Sequence, residues 1–172
     1  MKRAAGLSVH TGWAACVVAG GTLEKPEIAL NEEIEILGDD ERFCFHMAAE
    51  MKPPEAEKWI AQVRRKALAK AKKAMAPLAK LASRCAIVAK PGNAGSLEHV
   101  LAAHPRIHTA EGCLYRDVLA EASPIPVTVI APREIDISRI GKISPPPWGR
   151  DQKLAAAAAW MVLTRALRET AS

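Results

Sequence analysis

Alternating hydrophobic and polar residues predict a β-hairpin near the start of the chain. The segment from Gly6 to Gly21 has the pattern of two strands, Leu7 to Val9 and Trp13 to Val18, separated by a three-residue turn that ends at Gly12. Glycine adopts the positive φ of a tight turn at little steric cost. The pattern therefore predicts an antiparallel pair of strands whose turn presents His10.

A third strand follows the hairpin. Residues from Pro26 to Leu37 alternate between aliphatic side chains and glutamates, which predicts a strand with one solvated face. The aliphatic positions are Ile28, Leu30, Ile34 and Ile36, and Glu33 and Glu35 point the other way. A short helix is compatible with Glu41 to Met51. Pro53 and Pro54 should end it, because proline lacks an amide donor and restricts the residue before it.

The clearest helical pattern in the chain begins at Glu55. Apolar residues recur there every three or four positions, and lysine and arginine occupy most of the other positions. Pro77 should kink or end this amphipathic helix. Its apolar stripe comprises Trp59, Ile60, Val63, Ala67, Ala71, Ala74, Leu78 and Leu81.

The second half of the chain alternates strands with helices. Short apolar runs predict strands at Cys85 to Ala89 and at Val127 to Ala131. Ser96 is a good cap for a helix that stops near His104, and Thr109 is the expected cap of the next helix. The later helices are predicted to run from Ala110 to Ala122 and from Asp151 to about Glu169.

The order of predicted elements, β-β-β-α-β-α-β-α, indicates an α/β fold with a mixed five-stranded sheet flanked by helices. The chain has 172 residues, which is the length of one domain spanning residues 1–172. Hydrophobic residues make up 49% and charged residues 25%, the balance of a soluble globular protein.

Other features of the composition concern location and redox state. The longest apolar run, Leu154 to Leu163, is too short to cross a bilayer. Polar residues interrupt the N-terminal apolar stretch, so neither a membrane helix nor a signal peptide is expected, and we predict a cytoplasmic location. The wide spacing of the cysteines favours buried reduced thiols over a zinc or redox site. They are Cys16, Cys44, Cys85 and Cys113.

The hairpin sequence SVHTGWAACVV and the order of elements resemble the ribonuclease H-like superfamily, in particular its Holliday-junction resolvase branch. In that branch a hydrophobic strand ends in Asp-x-Gly and the second strand follows directly. The resemblance covers most of the chain as topology. As a motif it covers the hairpin and the start of the last helix.

The resemblance implies carboxylates after the first and fourth strands and on the last helix, where they hold two magnesium or manganese ions for phosphodiester cleavage. The corresponding residues here are His10, Lys90 and Asp151. Magnesium prefers oxygen ligands, and an imidazole and an ammonium do not replace two carboxylates. Standard two-metal cleavage is therefore not expected, and the cofactor stays unknown, with magnesium or manganese required only by a divergent nuclease.

In the fold that the resemblance implies, the ends of the central strands and the start of the last helix meet at one candidate site. Two kinds of chemistry are open there. The first is a pocket for a phosphate or a carboxylate, and its candidate ligand-binding residues are Thr11, Lys90, Asn93, Arg116, Arg150 and Lys153. The second is a rearranged active site in which His10, Glu111 and Asp151 act as acid and base.

Each proposed catalytic residue also has a structural explanation. Asp151 stands where a helix N-cap is expected. Glu111 lies in a predicted first helical turn, where it complements the helix dipole. His10 is a turn residue whose ring can hydrogen-bond to the backbone. Trp148 is most simply an apolar anchor for its proline-rich loop.

Three histidines, His99, His104 and His108, lie within ten positions of one another. Pro105 interrupts the helix that would align them. No metal site is therefore expected from their spacing.

Positive charge is concentrated in one segment. The chain carries +5 in total, and between Lys52 and Arg84 ten basic residues stand against two acidic ones, so this segment carries +8 and the remainder −3. Most of these charges lack a partner within the helix, and a phosphate backbone would suit such a surface. The chain has two Phe and one Tyr, so few of these aromatic rings are available to stack on nucleic-acid bases. The candidate nucleic-acid-binding residues are Arg64, Arg65, Lys70, Lys72 and Lys73.

The leading hypothesis is a ribonuclease H-like protein that lacks the usual catalytic acids and binds nucleic acid or another phosphate-bearing ligand. One alternative is a divergent metal-dependent nuclease or phosphoester hydrolase with Asp151, Glu111 and either Glu32 or Glu33 as replacement ligands. The other is an interaction protein that forms a homodimer through its alanine-rich helices.

Overall fold

A sheet with helices on both faces is built by the described residues, which are 3–21, 25–138, 140 and 147–169 of the computed structural model. The strands are β1 (Ala4–His10), β2 (Trp13–Gly21), β3 (Pro26–Glu35), β4 (Cys85–Val88) and β5 (Val127–Ile130). The helices are α1 (Cys44–Ala48), α2 (Pro53–Met75), α3 (Leu78–Leu81), α4 (Leu97–Leu101), α5 (His104–Ala122) and α6 (Arg150–Glu169).

The sheet has the strand order β3-β2-β1-β4-β5. Strands β1, β2 and β3 form an antiparallel meander, whereas β4 runs parallel to β1 and β5 runs parallel to β4. Parallel neighbours need crossover connections, which α2 and α3 supply before β4 and α4 and α5 supply before β5. The predicted mixed five-stranded α/β fold is confirmed.

Side chains along β1 alternate between two separate hydrophobic clusters. Leu7 belongs to the cluster that α2 and α5 cover, and Ala4 belongs to the cluster that α6 covers. Successive side chains of a strand point to opposite faces. Ser8 and His10, which have the parity of Ala4, therefore lie on the α6 face of the sheet.

Helix α6 packs unusually close to this face. The five alanines from Ala155 to Ala159 are at most 3% exposed. A Cβ on Gly6 would lie 1.8 Å from the carbonyl oxygen of Ala155, so only glycine permits this approach. Farther along the helix, the indole Nε1 of Trp160 donates to the carbonyl of Gly20 at 2.9 Å.

The hairpin is confirmed, but its turn has two residues instead of the predicted three. His10 is the last residue of β1 and pairs with Trp13, and residues 11 and 12 form the turn. Gly12 has a φ of +87°. Its carbonyl accepts hydrogen bonds from the amides of Ile36 and Leu37 at 2.8 and 3.0 Å, which fixes the turn against the end of β3.

The third strand departs from simple alternation because it contains a β-bulge. Its register against β2 shifts between Val18 and Ala19. A bulge leaves one residue unpaired, so the side chains beyond it change faces. Leu30 consequently packs on the α2 side and Ile28 on the α6 side, although the sequence pattern had them on one face.

Prolines begin two helices that the sequence reasoning had them end or interrupt. Pro53 is the first residue of α2, and Pro105 lies in the first turn of α5. Proline suits these positions because the first helical amides have no intrahelical acceptor and its φ is already helical. The predicted cap at Thr109 is therefore wrong, since its hydroxyl donates to the carbonyl of Pro105 inside α5 at 3.1 Å. Ser96 does cap α4, and α2 ends before Pro77, as predicted.

The four cysteines are free and buried, as predicted. Burial and the nearby Glu32 raise the pKa of the Cys16 thiol to about 12. Burial and the nearby Glu111 raise the pKa of Cys44 to about 12 as well. None of the described helices combines the length and apolarity needed to cross a membrane.

The close approach of α6 leads to a stability prediction. We expect Gly6→Ala to lower the free energy of unfolding by about 3 kcal/mol or more, because the new methyl group overlaps backbone that the rest of α6 holds in place. Urea unfolding followed by circular dichroism measures this change.

Gly112→Ala provides the matched control for this substitution. Gly112 lies within α5 and has nothing within 4 Å of an added Cβ, so the same change should raise stability by about 1 kcal/mol through helix propensity. Equal effects at the two positions would contradict the packing argument.

Candidate functional site at the strand ends

The end of β1 and the start of α6 bring a histidine and an aspartate together. The Oδ1 atom of Asp151 accepts hydrogen bonds from His10 Nε2 at 2.8 Å and from Ser8 Oγ at 3.1 Å. The side chains of His10 and Asp151 are 39% and 32% exposed, whereas Ser8 is buried. The pair is thus accessible to a ligand, and the hydroxyl of the buried Ser8 holds its carboxylate in place.

The imidazole of His10 is also held from the side. His10 pairs with Trp13 across the hairpin, and their rings stack with centroids 4.3 Å apart and planes 8° apart. Stacking and the bond to Asp151 together fix the plane and the direction of the ring.

Asp151 is available to the sheet because another residue caps the helix. The amide of Gly149 donates to Gln152 Oε1 at 3.0 Å, and the Gly149 carbonyl accepts from the amide of Lys153 at 3.1 Å. This is the reciprocal half of a capping box. The expectation that Asp151 is an N-cap is therefore wrong.

The other residues expected to bind a ligand fall into two groups. Arg116 is buried and ties α5 to the end of β4, donating from Nη1 to the carbonyl of Lys90 at 2.8 Å and from Nε to Asp117 at 2.7 Å. The hydrogen bond to Asp117 raises the pKa of Arg116 above its usual value. The second group has exposed or partly exposed side chains: Thr11, Lys90, Asn93, Arg150 and Lys153.

Glu111 does not join His10 and Asp151. It lies on α5, which covers the opposite face of the sheet from α6. Its carboxylate is 1% exposed and accepts from His46 Nδ1 at 2.8 Å. The predicted catalytic set is therefore divided between two places in the structure.

Sequence reasoning missed Ser8 and His46. The sequence pattern could have identified Ser8, because it lies two residues before His10 on one strand and the two side chains must face the same side of the sheet. His46 was not, because it lies 65 positions from Glu111 and no spacing rule connects the two.

The donor set at the strand ends does not fit the two metal ions that the fold family implies. Asp151 is the one carboxylate at the family positions, and its Oδ1 already accepts two hydrogen bonds. Glu33 lies opposite Ala15, which is opposite Ser8, so two strand spacings of about 5 Å separate it from Ser8. Glu32 pairs with Cys16 and faces the other side. No step of a reaction is therefore assigned to magnesium or manganese.

The sheet order and its crossovers are those of the ribonuclease H-like fold found in RuvC. Two solved structures share it. The first is Thermus thermophilus RuvC in complex with a Holliday junction substrate, with a TM-score of 0.53 and 14% identity over 100% of this chain and 97% of that chain. The second is Thermus thermophilus RuvC, with a TM-score of 0.51 and 12% identity over 98% and 95% of the two chains.

These identities make the likeness one of fold. No family model and no curated protein sequence matches the chain.

The anchored carboxylate gives a test of the site geometry. We expect Asp151→Ala to lower the free energy of unfolding by about 1–2 kcal/mol, because the buried Ser8 hydroxyl loses its acceptor. Asp151→Asn should have a smaller effect, since an amide oxygen can still accept both hydrogen bonds. Urea unfolding of the three proteins measures the difference.

Asp40→Ala is the control, because Asp40 is exposed in a surface turn and the substitution removes the same charge. It should change stability by less than about 0.5 kcal/mol. An equal loss in Asp40→Ala and Asp151→Ala would indicate a general charge effect instead of a local anchor.

Proposed function

We propose that this chain binds nucleic acid through phosphate contacts made by exposed cations in the C-terminal half of α2. The observation that carries the proposal is a group of exposed cations near the end of that helix. Lys70, Lys72 and Lys73 are exposed and have no hydrogen bond or ion pair within the described part of the chain.

Two other cations of α2 form ion pairs with carboxylates, which limits the surface that is free to bind phosphate. Arg64 forms an ion pair with Glu121, and Lys66 forms one with Glu41. Arg65 is exposed and, like the three lysines, is unpaired among the described residues. Of the cations predicted to contact phosphate, Arg64 is thus the one with a competing carboxylate, and the other four carry the proposal.

The likeness of fold supports the class of ligand. One of the similar solved structures is a RuvC in complex with a Holliday junction substrate. Branched DNA is therefore the first ligand to test, alongside duplex and single-stranded nucleic acid.

The position of the lysines argues for binding without cleavage. Helix α2 has 23 residues, so it is about 35 Å long. Its last turns lead through α3 to the start of β4, which pairs with Ala5 near the start of β1. His10 and Asp151 lie at the other end of β1. A phosphate bound by Lys70 to Lys73 is consequently remote from the histidine–aspartate pair.

A divergent phosphoester hydrolase is the second candidate function. The observation that favours it is the accessible His10–Asp151 pair, with the exposed cations Lys90 and Arg150 on the segments that adjoin it. Such a pair can exchange a proton with a ligand. Dimerisation through alanine stripes has less support. Ala155 to Ala159 are buried against the sheet, and Ala67 and Ala71 are buried on the side of α2 that faces the core.

Charge reversal tests the binding proposal. In Lys70→Glu/Lys72→Glu/Lys73→Glu, affinity for DNA should fall about tenfold or more near 0.1 M salt. The slope of log K against log salt concentration should become shallower by about 0.9 for each phosphate that the variant no longer neutralises. Fluorescence anisotropy with labelled branched and duplex DNA over a salt series measures both quantities.

A charge-matched control separates a local surface from general attraction. Lys52→Glu/Lys58→Glu/Arg133→Glu makes the same change in net charge at exposed positions away from the end of α2. It should retain most of the affinity. Equal losses in the two triple variants, or no binding by the wild type, would contradict the proposal.

Cleavage assays with the same substrates in magnesium and manganese address the second candidate function. We expect no cleavage. Manganese-dependent cleavage that Asp151→Asn abolishes would establish the hydrolase in place of a protein that only binds.

A further inference from the structure

Three histidines form a cluster on the face of the sheet opposite α6. His46 comes from α1, and His104 and His108 come from α5. Their ring centroids are 4.6–5.1 Å apart. One ring nitrogen from each histidine lies within 4.8 Å of the other two.

Local sequence explains two of the three positions. Helix α5 begins at His104 with Pro105 in its first turn, so His104 and His108 are four residues apart on one continuous helix. Residues at this spacing lie on the same side of a helix, one turn apart. The spacing of the histidines argues against a metal site only if Pro105 interrupts this helix. Because Pro105 lies in the first turn of α5, it does not interrupt the helix. His99 lies outside the cluster, on α4.

Packing of α1 supplies the third histidine. Cys44 and Phe45 belong to the core cluster on this side of the sheet. The carbonyl of Cys44 accepts from Trp59 Nε1 of α2 at 3.1 Å. With α1 held in this way, His46 projects toward α5.

Glu111 lies beneath the cluster with an incomplete set of partners. Its Oε1 atom accepts from His46 Nδ1 at 2.8 Å, whereas Oε2 is buried and has no hydrogen-bond partner among the described residues. In the described part of the chain, the one basic side chain within ion-pair distance of Glu111 is the imidazole of His46, which is charged only when it is protonated. A buried carboxylate is unfavourable unless positive charge compensates it.

The carboxylate also sets which nitrogen of His46 is available. A carboxylate oxygen accepts hydrogen bonds, so the tautomer of His46 that donates to it has its hydrogen on Nδ1 and a lone pair on Nε2. That Nε2 lies 3.2 Å from His104 Nε2. The arrangement is a carboxylate behind a histidine whose other nitrogen points into the cluster, which is the usual support of a metal-bound imidazole.

We propose that His46, His104 and His108 bind a divalent transition-metal ion, zinc in the first instance, and that Glu111 positions His46 for it. Imidazole suits zinc and similar metals, and it does not suit magnesium or calcium. Tetrahedral zinc with Zn–N bonds of about 2.0–2.1 Å requires nitrogens about 3.3 Å apart. The 3.2 Å between His46 and His104 meets this requirement. A ring nitrogen of the exposed His108 lies within 4.8 Å of both, so metal binding requires this side chain to turn toward them.

Three protein ligands leave one coordination position for water or an incoming group. The ion would add positive charge beside the carboxylate of Glu111 and would link α1 to α5. This site is independent of the nucleic-acid proposal. It can therefore be tested without any nucleic acid.

Calorimetric titration of the metal-free full chain with zinc tests the proposal directly. We expect one site per chain, an affinity at least 100-fold weaker in His104→Ala/His108→Ala, and an affinity about 10–100-fold weaker in Glu111→Gln. His99→Ala, the matched control from the neighbouring helix, should bind zinc as the wild type does. Magnesium should give no binding signal.

Cobalt(II) absorption is a second readout, because tetrahedral cobalt bound to nitrogen has intense visible bands. Wild-type protein should give these bands, and zinc should remove them by displacement. His104→Ala/His108→Ala should remain folded by circular dichroism, because both side chains are exposed. Equal zinc affinity in this variant and the wild type, or an equal loss in His99→Ala, would overturn the proposal, as would wild-type protein without cobalt bands.

Discussion

The close packing of α6 on the sheet determines where the strand-end site lies. Gly6 has no side chain, and the Ala155 carbonyl occupies the space where one would be. The helix can therefore rest almost on the backbone of β1, and its first turn reaches the end of that strand. Asp151 meets Ser8 and His10 because of this backbone contact.

At the strand ends and the start of α6, where the resemblance to the resolvase branch implies acids, the described residues carry a different set of charges. The carboxylate of Asp151 accepts hydrogen bonds from His10 and Ser8. Exposed Lys90 and Arg150 add positive charge at this edge of the sheet. An edge of this kind attracts anions and repels magnesium.

Local patterns predicted much of the fold and only part of the site. Turn and strand signals predicted the hairpin, the order of elements predicted a mixed five-stranded sheet, and Asp151 was expected at the start of the final helix. Pro105 was misinterpreted because a proline that begins a helix and one that interrupts it look alike without the flanking structure. The contact of His46 with Glu111 depends on how α1 packs on α5, which no periodicity in the sequence encodes. The bulge that separates Ile28 from Leu30 is likewise a property of the pairing with β2.

The two histidine–carboxylate pairs look alike in sequence terms but differ in how water reaches them. Asp151 is about one-third exposed, so water can donate to its carboxylate in addition to His10 and Ser8. This carboxylate therefore needs no further positive charge beside it. Glu111 is excluded from solvent and has one oxygen without a partner among the described residues. Its other oxygen accepts from the imidazole of His46 and, at 3.5 Å, from the backbone amide of the same residue. Desolvation makes an incompletely neutralised carboxylate much more unfavourable in the second setting than in the first. An added positive charge therefore stabilises the protein most beside Glu111, where the imidazoles of His104 and His108 lie close to that of His46.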